Sequence, residues 1–441
     1  MSLADDITKI LIYTIVSYPI VGGLSFIVSS LYYWLFLERK DMPHYLEEGT
    51  PFITILVPAH NEEASIESTI VHLEEQMNYP TDQYEVIVVN DGSTDQTGAI
   101  LDQLQIRYGK ERLRIITIVN NRGKAAGFNI ALGFSRGDFL LSNDADSKPE
   151  VDALWKYMYY FEREGGKRLG AITGNMLSIN KTSLVAEAQQ NELNSIIGLI
   201  KRSQLSYGGL FAFSGANTMY RKQAVVDVGG WQAEQPTEDI AISWDMQTHG
   251  WQAYFAPHIR FFMDVPETLY ELVKQRRRWT AGGIHVLLTK SMDVFKHPIK
   301  HLAMVPIIVD YSLSVVWSLF FWLSMGAFII IQAVCVIRGD WVGLITNFCF
   351  AAIFIAIEIV VGLIQLVMAS YFNDQGRSLK YIAFAPWYIL IYWMVNTFTV
   401  AVEILPTMIK IIKGEDAGVW KSPKRSVDVV AKSKEGTDQD N

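Results

Sequence analysis

Two aspartates one residue apart, Asp144 and Asp146 in NDADS, follow the apolar run Phe139-Leu140-Leu141. Carboxylates so spaced at a strand end can share a divalent cation and, through it, a diphosphate, because Mg2+ is usually bound by one or two carboxylates plus substrate phosphates. A solvated acidic turn gives the same pair, so the motif draws its weight from its surroundings. Asp91 stands in NDGSTD after Val86-Ile87-Val88-Val89. There it can accept from a base imide or a ribose hydroxyl while Gly92 lets the backbone turn close beside a flat ligand, and Ser93 or Thr94 can cap the next helix. Lys124, in NNRGKAAGFN, brings a cation to a glycine-containing turn. Thr237-Glu238-Asp239 precedes a helical stretch. Its carboxylates suit a helix start, but transfer to a hydroxyl needs a base for the acceptor proton, and Asp239 is the candidate. Gln275-Arg276-Arg277-Arg278-Trp279 sets cations beside an indole. That run suits an anionic lipid surface, or a departing diphosphate with a sugar ring seated on the tryptophan.

Strands and helices must bring these groups together. ITILVPAHNEE (53–63), EVIVVNDGSTD (85–95), RIITIVN (114–120) and DFLLSNDADS (138–147) each read as an apolar strand running into a polar turn, with helical stretches between. That alternation predicts a doubly wound α/β sheet whose ligands collect beyond the carboxyl ends of the strands, where Asp91, Asp144 and Asp146 fall. Residues 51–300 hold 25 Lys and Arg against 29 Asp and Glu. With no excess of positive charge for phosphate backbones, no nucleic-acid partner is expected. The two cysteines, Cys335 and Cys349, lie in apolar stretches, and the eight histidines include no HExxH pair. A metal would be held mainly by carboxylates, which favours Mg2+ or Mn2+ over structural zinc.

Of the 441 residues 50% are hydrophobic and 19% charged, against about 25% charged in an ordinary soluble domain. The deficit lies in four stretches: 10–37 has no charge, 302–337 only Asp310, 341–372 only Glu358 and 381–409 only Glu403. Each exceeds the roughly 20 residues that cross a bilayer, and the first is too long for the core of a cleavable signal. The expected division is a transmembrane helix and linker over 1–48, a polar domain with an interfacial end over 49–300, a transmembrane region over 301–412 and a polar tail over 413–441. Asp5 and Asp6 precede the first stretch while Arg39 and Lys40 follow it, which puts the polar domain on the cytoplasmic side. A single crossing by 381–409 would leave the tail outside, against the charges of Lys410, Lys413, Lys421, Lys424 and Arg425. Pro386 and Pro406 allow a broken or re-entrant last segment instead.

PAHNEE, NDGSTD, NDADS, TED and QRRRW, in this order, resemble the motifs of processive, membrane-embedded, inverting glycosyltransferases of family 2, whose members make cellulose, chitin and hyaluronan. ITGN (172–175), SIIGLIKR (195–202), FSGANTMYR (213–221) and VGGW (228–231) look most like the branch that makes poly-β-1,6-N-acetylglucosamine. The resemblance implies a nucleotide-sugar-binding mixed sheet of GT-A type inserted between transmembrane helices. It implies transfer of N-acetylglucosamine from UDP-GlcNAc to a growing β-1,6-linked polysaccharide acceptor, with inversion and coupled export. Asp91 would meet the uracil, Asp144 and Asp146 the metal and diphosphate, with Lys124, Gln275 and Arg278 also on the donor. Asp239 would be the catalytic base, and Trp279, Glu238, Ser214 and Gly215 would form the acceptor site. Membrane lipids of a bacterial cell membrane would surround the helices, and a small membrane accessory subunit is typical of such synthases. Nothing after residue 410 is long enough for the cyclic-di-GMP sensor domain of some cellulose-making members. The alternative readings are a family 2 synthase with another product, a non-processive lipid-linked sugar transferase, and a membrane protein with an inactive nucleotide-binding domain.

Overall fold

The computed structural model describes residues 3–38, 49–162, 166–180, 183–384 and 393–414. Arg39, Lys40, Pro386, Lys421, Lys424, Arg425 and the polar tail beyond residue 414 lie outside them. The chain opens with α1 (Leu3–Tyr32), continued by one π-helical turn (Tyr33–Leu37). The polar domain runs β1 (Ile53–Ala59), α2 (Ile66–Glu75), β2 (Tyr84–Asp91), α3 (Thr97–Tyr108), β3 (Leu113–Ile118), α4 (Lys124–Phe134), β4 (Phe139–Asn143), β5 (Lys148–Pro149) and α5 (Ala153–Glu162). It continues through β6 (Leu169–Ser178), α6 (Leu184–Ser195), α7 (Lys201–Ser206), β7 (Asn217–Arg221), α8 (Lys222–Asp227), α9 (Glu238–Thr248), β8 (Gln252–Met263) and α10 (Leu269–Lys296). Three long helices follow: α11 (Val305–Arg338), α12 (Trp341–Asp374) and α13 (Trp393–Lys413).

The strands form one eight-stranded sheet in the order β3-β2-β1-β4-β7-β6-β8-β5. β1, β2, β3 and β4 pair in parallel, as the alternating pattern predicts, whereas β7 is antiparallel to both β4 and β6 and makes the sheet mixed. Alternate residues of β1 go to opposite faces. Ile53, Ile55 and Val57 pack with α2, α3 and α5, while Leu56 packs with Ala125, Phe128 and Ala131 of α4. Helices on both faces explain why these strands are apolar runs without polar alternation.

Four helices are long and apolar enough to cross a membrane: Lys9–Leu37, Val305–Arg338, Trp341–Asn373 and Trp393–Lys413. The first three coincide with the expected stretches, and the fourth covers the described part of the last one beyond residue 392. Arg377–Phe384 forms a 3-10 helix, residues 385–392 of the expected stretch lie outside the described residues, and α13 runs over Trp393–Lys413 with Pro406 inside it. With three residues per 3-10 turn, Arg377 and Lys380 share one face and Leu379 and Ile382 another; such a two-faced segment suits an interface better than hydrocarbon. Between spans, Tyr18 donates to the Asp310 carbonyl at 3.3 Å and Trp317 to the Ile15 carbonyl at 2.8 Å, so α1 and α11 are tied by side-chain hydrogen bonds. Glu403 is paired with Arg277 of α10, and Oε1 of Glu358 is buried with no hydrogen-bond partner among the described residues.

Arg202 anchors the domain to these helices. Its fully buried guanidinium donates to both oxygens of Glu38, at 2.6 and 3.1 Å, to the Gly198 carbonyl at 2.6 Å and to Asn373 Oδ1 at 2.8 Å. One fork thus joins α7 to the end of the first span and the end of α12. Arg202→Ala strands the Glu38 carboxylate and is expected to cost about 3–5 kcal/mol, read as a lower unfolding midpoint in detergent. Arg202→Lys should recover only part of the loss, because an ammonium cannot reproduce the planar fork.

Candidate active site

β2 and β4 end side by side with β1 between them, and Asn143 at the end of β4 lies opposite Asn217 at the start of β7. The loops after β2 and β4 and the loop before β7 therefore meet at one edge. Asp91 is 2% exposed there, and its carboxylate accepts the backbone N–H of Arg122 at 2.8 Å and of Gly123 at 2.7 Å. Here the carboxylate holds the turn that starts α4. Gly92 has φ +66°, and a Cβ there would lie 2.7 Å from the Asn121 nitrogen, so the close approach expected of a ligand is made by the chain itself. Neither Ser93 nor Thr94 caps α3: the Thr97 N–H goes to Asp95 Oδ1 at 3.0 Å, while Ser93 accepts from the Asn61 N–H.

From that turn Lys124 projects into a cluster of acidic groups. Its Nζ lies 2.6 Å from Asp144 Oδ1, 3.0 Å from the Gly215 carbonyl and 3.3 Å from Glu238 Oε1. Burial opposes its charge, but Asp144, Glu238 and Asp239 outweigh that cost and its pKa is raised. Asp239, in the first turn of α9, accepts the Gly215 N–H on Oδ2 at 3.1 Å. Burial and the neighbouring Glu238 push its carboxyl up to about 6, against the pull of Lys124 and Arg278. Ser214 differs from its neighbour: its hydroxyl donates to the sulfur of Met176 at 2.7 Å, and its N–H goes to Thr173 Oγ1 at 3.2 Å.

The three arginines of α10 point to three partners. Arg276 is buried, bonds Glu192 of α6 at 2.7 Å and lies 4.2 Å from the centre of the Trp279 ring. Arg277 pairs with Glu403 of α13. Arg278 is exposed, forms no ion pair among the described residues, and is left to act on Asp239 through its charge. Trp279 keeps 37% of its surface exposed and Gln275, four positions before it, is half-buried. A Cβ on Gly282 would fall within the Thr237 side chain, so this glycine lets α10 press against the turn that carries Glu238 and Asp239. Motif reading missed Glu192 and Gly282, because a partner's identity lies in the packing and not in the spacing.

Among the described residues no cluster of three or more His, Cys, Asp or Glu side chains could hold a metal ion. Asp144 and Asp146 are both partly exposed at the strand end, and one Asp144 oxygen already holds a cation, the Lys124 ammonium. Two partly exposed hard carboxylates fit Mg2+ or Mn2+ and do not fit structural zinc.

Gly215 faces this cluster directly: a Cβ there would lie 2.9 Å from Lys124 Nζ, 3.3 Å from Glu238 Oε1 and 3.4 Å from Asp239 Oδ2. Gly215→Ala should displace the flexible end of Lys124 and leave the fold intact. Turnover is expected to fall roughly ten- to a hundredfold, since small misplacements of catalytic groups cost that much. The check is a steady-state rate beside an unchanged unfolding midpoint.

Comparison with known proteins gives the family and the fold. Residues 54–229 match the family model for glycosyl transferase family 2. The chain is 30% identical over 417 residues to poly-β-1,6-N-acetyl-D-glucosamine synthase of Staphylococcus epidermidis, covering 92% of this chain and 97% of that protein. The synthase of Staphylococcus aureus strain COL is also 30% identical, over 412 residues, with the same coverage. Among solved structures, a mannosyltransferase from Pyrobaculum calidifontis, in complex with GDP-Man and Mn2+, superimposes with a TM-score of 0.63 at 17% identity, covering 91% of this chain and 99% of that one. That likeness is one of fold, the GT-A-like mixed sheet with long apolar helices. The chain belongs to glycosyltransferase family 2 and is a nucleotide-sugar-dependent glycosyltransferase.

Proposed function

We propose that the protein transfers N-acetylglucosamine from UDP-GlcNAc to the end of a growing β-1,6-linked polysaccharide, with inversion, and that synthesis is processive and coupled to export. The observation that carries this reading is Asp239, a carboxyl raised to about 6 beside the Lys124, Asp144 and Glu238 cluster, in a chain 30% identical along nearly its whole length to synthases of that polymer. In the proposed reaction the acceptor hydroxyl gives its proton to Asp239 while its oxygen bonds the anomeric carbon, and the bond from that carbon to the diphosphate breaks on the opposite face. UDP leaves with the bonding electrons. One such displacement, with the base on the face opposite the departing diphosphate, inverts the anomeric carbon.

Asp144 and Asp146 would hold Mg2+ or Mn2+, which offsets the charge growing on the diphosphate as it leaves. Lys124, Gln275 and Arg278 would bind the donor, with Arg278 free to meet phosphate oxygens. Trp279, braced by Arg276, would offer a flat apolar face to the acceptor ring, and Glu238 with Ser214-Gly215 would shape the rest of that site. Asp91 would serve the nucleotide through the turn it holds. Trp317, Phe321, Trp322, Trp393 and Phe398 meet in edge-on and tilted ring contacts along α11 and α13, and such rings suit a path for a sugar chain leaving the site. We infer a bacterial cell membrane location with the polar domain in the cytoplasm, membrane lipids around the helices and a small membrane accessory subunit as a further partner.

Asp239→Asn should cut transfer by about 10^2- to 10^4-fold, the usual share of a general base, while UDP-GlcNAc binding measured by calorimetry stays close to wild type. Because the base works deprotonated, the wild-type rate should fall about tenfold per pH unit below about 6; a flat profile from pH 5 to 7 would remove Asp239 from that role. Radiolabelled UDP-GlcNAc supplied to membranes, followed by linkage analysis, tests the product. A β-1,6-linked polymer is expected, and a β-1,4 linkage would replace this reading with a chitin-type one.

A further inference from the structure

Lys201, the first residue of α7, has a role that the motifs do not assign. Its partly buried ammonium donates to Thr173 Oγ1 at 3.3 Å and lies 5.5 Å from the centre of the Phe255 ring. It forms no ion pair among the described residues, since the adjacent Arg202 is the one that takes Glu38. Burial pushes its pKa down to about 8, against the opposing pull of Asp239. A partly buried ammonium with one neutral acceptor among the described residues for its three donors is costly, and a ligand that brings oxygen acceptors offsets that cost.

The hydrogen bonds around it indicate which ligand. Thr173 Oγ1 also accepts the Ser214 N–H at 3.2 Å, and the next residue, Gly215, donates to Asp239 Oδ2 at 3.1 Å. Lys124 meets this turn at the Gly215 carbonyl and Lys201 reaches it through Thr173, so two cations flank the base along one hydrogen-bonded line. The charge that faces Lys201 is Asp239 of α9; Thr173 of β6 and Phe255 of β8 are neutral, and Arg202 on its own helix is committed to Glu38.

We propose that Lys201 is a specificity-determining residue of the acceptor site: its ammonium donates to hydroxyl or amide carbonyl oxygens of the terminal sugar and disfavours a sugar that carries an amine cation. The proposal rests on Asp239 receiving the acceptor proton. Like charges brought together in a partly buried site repel strongly enough to discriminate, whereas a neutral N-acyl group fills the donors.

The test uses the full chain in detergent with UDP-GlcNAc and two acceptors, a short β-1,6-linked N-acetylglucosamine oligosaccharide and its de-N-acetylated counterpart. Lys201→Met keeps length and apolar contact but removes the charge. It should raise the KM for the acetylated acceptor about tenfold, leave the KM for UDP-GlcNAc unchanged and narrow the preference for the acetylated acceptor; Lys201→Arg should restore that preference. A Met variant with wild-type acceptor KM and preference overturns the proposal. So does one in which the UDP-GlcNAc KM and the unfolding midpoint worsen together with the acceptor KM, because that is a support role. A wild-type protein that releases no UDP from UDP-GlcNAc overturns the assigned reaction itself, and is distinguished by being read before any variant.

Discussion

The ammonium of Lys124 is the interaction on which the site depends. It lies against Asp144 after β4 and Glu238 at the start of α9, and its charge reaches Asp239 as well. Without a cation among them these carboxylates would repel one another in a region largely closed to water. Lys124 opens α4, and a positive charge at a helix N-terminus opposes the macrodipole. Its position therefore reflects the acidic groups it faces and not the helix it begins. Other features follow from seating it there: Asp91 fixes the two backbone amides before it, Gly123 turns the chain with φ +89°, and Gly215 leaves the space its head group occupies.

A second constraint links this cluster to the apolar helices. Ile240, Ala241 and Trp244 of α9 share one core with Ile284, Val286 and Leu287 of α10, Ile307 and Ile308 of α11 and Val400 of α13. The helix that carries Asp239 thus packs directly on helices long enough to cross a membrane. Gly282 brings α10 against Thr237, Thr280 and Thr399 meet at 2.9 Å, and Arg277 holds Glu403. Arg202 does the same work on the other side, where α7 meets the ends of the first span and α12. A shift of one of these helices would have to pass through side chains packed against the helix that carries Asp239.

Much of this was legible in the residues. Continuous apolar runs ending in polar turns marked β1, β2, β3 and β4, because strands covered on both faces need no alternation. The four charge-poor stretches marked the long helices, and the motif order marked the strand-end groups that the sheet gathers. Less was legible where a residue's partner lies far along the chain. QRRRW reads as one cationic patch, yet Arg276 is bound to a glutamate 84 residues away and Arg277 to one 126 residues away. Asp91 and Gly92 read as ligand contacts, yet their nearest partners are the chain's own turn at 121–123. The last apolar stretch left one crossing and a broken segment both open, and the 3-10 helix at 377–384, which sorts its charges to one side, was not legible in it.

By itself the sequence determined which chemical groups exist and which segments avoid water, since side-chain type and hydrophobic run length are local properties. The tertiary structure alone decided which of three arginines has no ion pair among the described residues, which lysine is ion-paired there and which is not, and that burial and Glu238 push the Asp239 carboxyl up to about 6. Charge state and availability depend on burial and on neighbours brought together by packing, and no spacing along the chain specifies those distances.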